Sequence, residues 1–182
     1  PQHTVCDYSL DKSLQNGYSG KVFKGHYHDP NRRNVHPVPV VVKCCKKFSS
    51  WNTETRALEN LDHPNIIKLK GAGRSPRRFI VLEYIEGGSL NEKLQQNSTK
   101  SGLAQRLFRR PAFTYMSLLM MTREIADAFR YLHAGVGEDV TIIHRDLKPD
   151  NVGFSTDGSL KLFDFGLCTC VRKRQRPDEY YE

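Results

Sequence analysis

His144-Arg145-Asp146-Leu147-Lys148-Pro149-Asp150-Asn151 decides how this chain reads, and thirteen positions after Asn151 comes Asp164-Phe165-Gly166. Between the two stretches, residues 152–154 and 160–163 flank Asp157-Gly158, a strong hairpin-turn signal. The spacing predicts two polar loops joined by a tight hairpin. They carry two carboxylates (Asp146, Asp164), an amide (Asn151) and a lysine (Lys148). Phosphoryl transfer asks little covalent chemistry of a protein. It needs cations against the phosphates and a carboxylate to orient the attacking hydroxyl. A single Asp or Asn in a loop is usually a turn cap, but the set together points to chemistry.

Upstream, the pattern changes to strands. Val38 to Lys43 is a β-branched run, Ile66 to Leu69 and Phe79 to Tyr84 predict two more strands, and Gly17 to Gly25 is glycine-punctuated around Val22 and Phe23. Ser49 and Ser50 are candidate N-caps for a helix running to about Leu61. A lysine at the end of a buried apolar run, Lys43, needs a partner, because an unpaired buried charge is expensive. Glu54 on that helix is the preferred candidate; Glu59 lies on a different helix face. Residues 28–37 predict a loop, as do the polar and basic residues 97–111. After the break at Gly87-Gly88, Leu90 and Leu94 are spaced for a short helix. Leu118, Met121, Ile125, Phe129 and Leu132 then recur at helical steps. The order is a strand-rich first part with one helix, followed by a helix-rich second part.

These residues resemble the signature set of the protein kinases, over about Leu14 to Gly166. The resemblance implies an α+β, bilobal, protein-kinase-like fold: residues 1–86 as the strand-rich N-lobe and hinge, residues 87–182 as part of a mainly helical C-lobe. It implies ATP and Mg²⁺ as cofactors and a protein substrate. Carried over, Asp146 is the base that accepts or orients the substrate hydroxyl proton, Asn151 and Asp164 hold Mg²⁺, Lys148 touches the transferring phosphate, and Lys43, paired with Glu54, binds the nucleotide phosphates. Leu14, Gly17, Gly20 and Val22 fall in the glycine-rich loop. Leu82 takes the gatekeeper position, and the backbones of Glu83 and Ile85 bond the adenine. Arg145 takes a position that often pairs with a phosphate on the activation segment, where Thr169, Tyr180 and Tyr181 are candidate modification sites. Lys148 is the residue type of Ser/Thr-specific members, so transfer to Ser or Thr is expected. The alternative is a non-catalytic kinase-like module that binds nucleotide or a partner, disfavoured because Lys43, Asp146, Asn151 and Asp164 are all kept.

The chain departs from the family pattern in places. Gln15 stands where the first glycine of the loop is usual; if that site demanded positive φ, the cost would be roughly 1–2 kcal/mol. Asp150 replaces a common Glu. Val41 takes a roof position of the adenine pocket that is usually Ala, and Gly153 a floor position that is usually bulky and apolar, which suggests a compensating pair. Sixteen residues follow Gly166, without the Ala-Pro-Glu the family carries there. The expectation is a fragment ending in the activation segment, with negligible peptide-kinase activity by itself.

The bulk properties set outer bounds. The 182 residues suit one ordinary domain, and 38% hydrophobic with 26% charged residues suits a globular chain. The formal charge of +8 gathers around Arg74, Arg77 and Arg78, around Arg106, Arg109 and Arg110, and around Arg172 to Arg176. These stretches read as solvated loops, so nucleic acid is not an expected partner. The five cysteines include no C-x-x-C pair, which argues against a disulfide scaffold and for a reducing, cytoplasmic setting. Cys168 and Cys170 lack a second pair to complete a zinc site. No apolar run reaches membrane-spanning length.

Overall fold

Five strands form one antiparallel sheet in the computed structural model, which describes residues 8–16, 20–27, 36–75, 77–98, 113–137 and 139–172. They are β1 (Tyr8–Asn16), β2 (Gly20–Tyr27), β3 (Val38–Cys45), β4 (Leu69–Gly73) and β5 (Phe79–Glu83), in the spatial order β1-β2-β3-β5-β4. The two-residue side-chain period sorts β3 cleanly. Val40 and Val42 cluster with Phe79 and Val81, whereas Val41 and Cys45 join the main core with Ile80 and Leu82. Lys43 shares the second face, and there α1 (Phe48–Leu58) meets it.

Helix α1 buries Trp51, Glu54, Thr55 and Leu58, a three- and four-residue spacing that makes one inward stripe. Trp51 Nε1 donates to the Phe79 carbonyl at 3.0 Å, tying the helix to β5. Neither Ser49 nor Ser50 is the N-cap. Lys47 is, without a side-chain hydrogen bond, and the helix stops at Leu58, before Leu61. Another correction concerns the next strand. Ile66 makes only an isolated parallel bridge to Leu162, and the strand itself begins at Leu69. Residues 65–67 instead bond across to the second part of the chain: Leu162 N donates to Asn65 O at 2.8 Å and Ile67 N to Leu162 O at 2.9 Å.

The second part holds α2 (Leu90–Ser98) and α3 (Tyr115–Arg130), the latter capped by Thr114 and followed by a π-turn over Tyr131–Gly135. It also holds four short strands, more than the helical pattern predicts. These are β6 (Val140–Ile143), β7 (Val152–Phe154), β8 (Leu160–Leu162) and β9 (Thr169–Arg172), paired antiparallel as β6-β9 and β7-β8. The β7-β8 hairpin turns at Asp157-Gly158, where Gly158 has φ +86°. One core joins both parts, with Trp51, Leu58 and Leu82 packed among Leu132, Leu160, Leu162 and Phe165. Along α3, Met121, Ile125 and Phe129 pack on this core, but Leu118 is exposed beside Tyr115, Met116, Leu119 and Met120.

Among the described residues no helix is long and apolar enough to cross a membrane. Cys44, Cys45, Cys168 and Cys170 are free thiols. No group of three or more His, Cys, Asp or Glu among the described residues gathers as a metal cluster. Cys6, Gly17, most of the loop over residues 28–37, the basic stretch around Arg106 to Arg110, and Arg174, Arg176, Tyr180 and Tyr181 lie outside the described residues.

Candidate active site

Lys43 anchors the site from the sheet. It sits on β3 opposite Val22 of β2 and Ile80 of β5, and is 6% exposed. Its Nζ lies 2.7 Å from Glu54 Oε2 on α1 and 2.7 Å from Asp164 Oδ1 beyond β8. Burial pushes the Lys43 ammonium down, but the charges of Glu54 and Asp164 outweigh it and hold it above its ordinary value. Burial raises the Glu54 carboxyl, which is fully buried, and the Lys43 charge pulls it back. Glu59, the other candidate partner, is exposed past the end of α1. One ammonium therefore ties three separated segments: a strand, a helix and the loop after β8.

The second half of the site is the loop between β6 and β7. His144 is completely buried, with its ring edge-on to Phe165 at 4.7 Å between centroids. Its Nδ1 accepts from Asp146 N at 3.3 Å, which leaves Nε2 to donate to the Phe163 carbonyl at 3.1 Å. Burial lowers its pKa, so it is a neutral structural post holding the loop against the segment before Asp164. Arg145 adopts left-handed backbone (φ 66°). Its Nε donates to Leu167 O at 2.6 Å, and its Nη2 lies 3.5 Å from Cys168 O. The guanidinium thus clasps the main chain just past Gly166.

Asp146 has one oxygen committed and one without a partner among the described residues. Its Oδ2 accepts from Lys148 Nζ at 2.7 Å and from Asn151 Nδ2 at 2.9 Å. The hydrogen bond from Lys148 is the main reason its carboxyl is held below the usual range. Asn151 is 4% exposed; its Nδ2 also donates to the Asp146 carbonyl at 2.8 Å. With the NH₂ end committed, the amide oxygen is left to serve as an acceptor. Asp164, in left-handed backbone (φ 64°), gives Oδ1 to Lys43 and keeps its second oxygen. A hard amide oxygen and a hard carboxylate oxygen are the donor types Mg²⁺ takes when phosphates complete its shell.

Other residues singled out by the sequence fall around this centre. Leu14 lies on β1 and is exposed; Gly20 opens β2 and is buried; Val22 and Val41 are half-buried. Gln15 pairs with Val22 within β1-β2, and the positive-φ positions among the described residues do not include it, so its expected backbone cost does not arise. Leu82 is buried at the end of β5, with Glu83 and Ile85 half-buried after it. Thr169 is in β9 opposite Ile143. A Cβ at Gly153 would meet Ile85, Phe163 and the Gly88 carbonyl oxygen.

Some supporting residues carry no signal in the sequence. Glu83 Oε1 accepts from Lys161 Nζ at 2.9 Å and from Lys68 N at 2.9 Å, so one carboxylate joins β5, β8 and the start of β4. Tyr131 accepts from Asp62 N at 3.0 Å and stacks on His63. These contacts depend on segments far apart in the chain, and no local spacing marks them. A cavity of about 750 Å³ lies elsewhere, between α1 and β4 at Trp51, Thr55 and Gly71. None of the clustered lysine, acid and amide side chains lines it. Convergent charge, not cavity size, locates the site.

Known proteins place this arrangement in context. The profile of the family described as protein tyrosine and serine/threonine kinase matches residues 8–181. A protein named as a receptor-like protein kinase of Arabidopsis thaliana is 33% identical over 168 residues, which is 89% of this chain and 34% of that protein. Ephrin type-A receptor 8 of Homo sapiens is 32% identical over 179 residues, 94% of this chain and 16% of its own length. Calcium-dependent protein kinase 6 of Plasmodium berghei is 34% identical over 171 residues, 92% and 10% of the two chains. The chain thus spans about a third or less of the length of these relatives.

Proposed function

We propose, from the premise that this chain belongs to the protein tyrosine and serine/threonine kinase family, that it forms the ATP-binding and catalytic part of a protein serine/threonine kinase. The reaction is transfer of the γ-phosphate of ATP to Ser or Thr hydroxyls of a protein substrate. The observation that carries it is the state of Asp146: ionised, one oxygen held by Lys148 and Asn151, the other without a partner among the described residues. A carboxylate held below its usual range is a weak base but a firm hydrogen-bond acceptor, so Asp146 aligns the hydroxyl more than it deprotonates it. Lys148, already 2.7 Å from Asp146, is placed to meet the transferring phosphoryl oxygens. Lys43 faces the nucleotide phosphates, with Glu54 fixing its direction.

Asn151 and Asp164 supply the two hard oxygens for Mg²⁺, which when bound neutralises phosphate charge. Val22, Val41, Gly20 and Leu14 would cover one face of the base, and Glu83 and Ile85 would offer main-chain groups to its edge. The expected lobe boundary is at residues 86–87, between β5 and α2. Ser/Thr preference follows from Lys148, whose ammonium beside Asp146 fits the family's Ser/Thr pattern.

The test uses the full-length protein with MgATP and matched peptides carrying Ser, Thr or Tyr as the sole acceptor. Phosphate appears on Ser and Thr, and Asp146→Asn lowers kcat by about 10²–10⁴ with little change in nucleotide affinity. Transfer to Tyr alone refutes the specificity. Turnover unaffected by Asp146→Asn refutes the assigned role.

A further inference from the structure

Gly153 is buried in the middle of β7, and a Cβ added there would run into Ile85 Cδ1, into Phe163 Cε1 at 3.0 Å and into the Gly88 carbonyl oxygen at 3.1 Å. Two of those atoms belong to residues 84–89, the connection from β5 to α2. That connection is bonded directly onto β7. Gly87 N donates to Phe154 O at 2.8 Å, Phe154 N donates to Gly88 O at 3.1 Å, and Ser89 forms an antiparallel bridge with Gly153. The hydrogen bonds set how near the two backbones come, and at that distance only glycine fits at 153 unless its neighbours move. Val41 is not among the three atoms nearest the added Cβ. Ile85, half-buried and packed on the main core, occupies the volume instead.

We infer that Ile85 is an affinity- and specificity-determining residue of the nucleotide site, supplying from the connection the apolar surface that residue 153 lacks. This rests on the nucleotide-binding reading proposed above. A flat base held between two lobes needs apolar surface on both faces to keep water out, and a glycine offers only backbone. Ile is branched at Cβ and stiff at χ1, so the branch point of its side chain is placed at little entropic cost. One residue then does two tasks: its main chain meets the edge of the base, and its side chain underlies the ring. The position of that surface is coupled to the connection between the lobes, because any shift of residues 84–89 carries Ile85 with it.

MgADP titrated calorimetrically into the full-length protein tests this. Ile85→Ala and Gly153→Leu are each expected to weaken binding about tenfold. The first removes the surface; the second forces two side chains into one volume. The double variant, in which the introduced leucine fills the space vacated by Ile85, is expected within about threefold of the wild type. A milder pair covers the case where Gly153→Leu does not fold, as read by thermal unfolding. Gly153→Ala adds the Cβ and Ile85→Val removes the opposing Cδ1, and the pair together recovers the affinity that Gly153→Ala loses. Simple additivity in both cycles, or wild-type affinity in Gly153→Leu, overturns the inference while leaving the nucleotide reading in place. Absence of MgADP binding by the full-length wild-type protein overturns both.

Discussion

Replacing Lys43 by Met tests whether one buried ammonium holds three segments together. Glu54 is fully buried and Lys43 is 6% exposed, with 2.7 Å between their charged atoms. Removing one member of such a pair strands the other, and this typically costs about 3–5 kcal/mol. Asp164 loses the same partner but is partly exposed, so water replaces much of what it loses. The loss must depend on pH. In the variant, burial and the charge of Asp164 still raise the pKa of Glu54, and of the influences that lowered it only the backbone hydrogen bond from Phe165, the smallest, remains. A carboxyl whose folded pKa is raised carries no penalty below its unfolded value, near 4.5. The penalty grows as pH rises and levels off once pH passes the folded value, by up to about 1.4 kcal/mol per pH unit. The deficit of Lys43→Met relative to wild type should therefore be small near about pH 4.5 and largest at about pH 8. Adding Glu54→Gln should recover much of it, because an amide in that place leaves no uncompensated charge. Urea unfolding followed by Trp51 fluorescence measures this directly, since Trp51 is the only tryptophan and is buried against β5. A deficit that is flat with pH, or deepest in acid, would refute the reasoning.

Three further perturbations probe the frame around the site. Tyr131→Phe removes the hydroxyl that accepts from Asp62 N while keeping the stack on His63, and should cost about 1 kcal/mol in the same urea assay. Asp157 accepts from Ser155, from Ser159 N and from Ser159 Oγ, and its carboxyl is pulled down to about 2. Its stabilising contribution is present above the unfolded value of 3.8 and is lost as pH falls through about 2. Asp157→Asn should therefore flatten part of the acid limb of the stability curve. Gly20 has φ +153°, and a Cβ there would meet the Cys44 carbonyl oxygen. Gly20→Ala should part the end of β2 from β3, exposing the backbone amides of residues 21 and 22 to faster hydrogen exchange; unchanged exchange would count against the register.

Much of the molecule is legible in the sequence where the signal is local. The β-branched run at Val40 to Val42, the period of α3 and the Asp157-Gly158 turn each state their own structure, because propensity and periodicity act over a few residues. The start of α1 departs from the local signal because Ser49 and Ser50 are intrinsically good caps. Packing of Trp51 on Phe79 O and of Glu54 on Lys43 favours a helix that begins earlier, at Phe48. The strand expected at Ile66 fails for a similar reason. Its apolar residues are buried by β8, not by a sheet neighbour in its own part of the chain. Strands β6 and β9 leave no readable pattern because each is four residues long and stable only against the other.

The sequence alone determined which side chains stand in the chain and in what order: Lys43, Glu54, Asp146, Asn151 and Asp164, on which the proposed phosphate-handling role rests, are legible there because side-chain type is a property of the chain and not of its folding. Only the tertiary structure decided how that set is arranged. It chose Glu54 over Glu59, committed one oxygen of Asp146 and left the other, turned the Asn151 amide by bonding its nitrogen, and put Ile85 where residue 153 has no side chain. The pairing of Lys43 with Glu54 and the seat of Ile85 depend on separate segments of the chain meeting, and the bonds of Asp146 and Asn151 on how one short loop closes on itself; a linear pattern encodes neither.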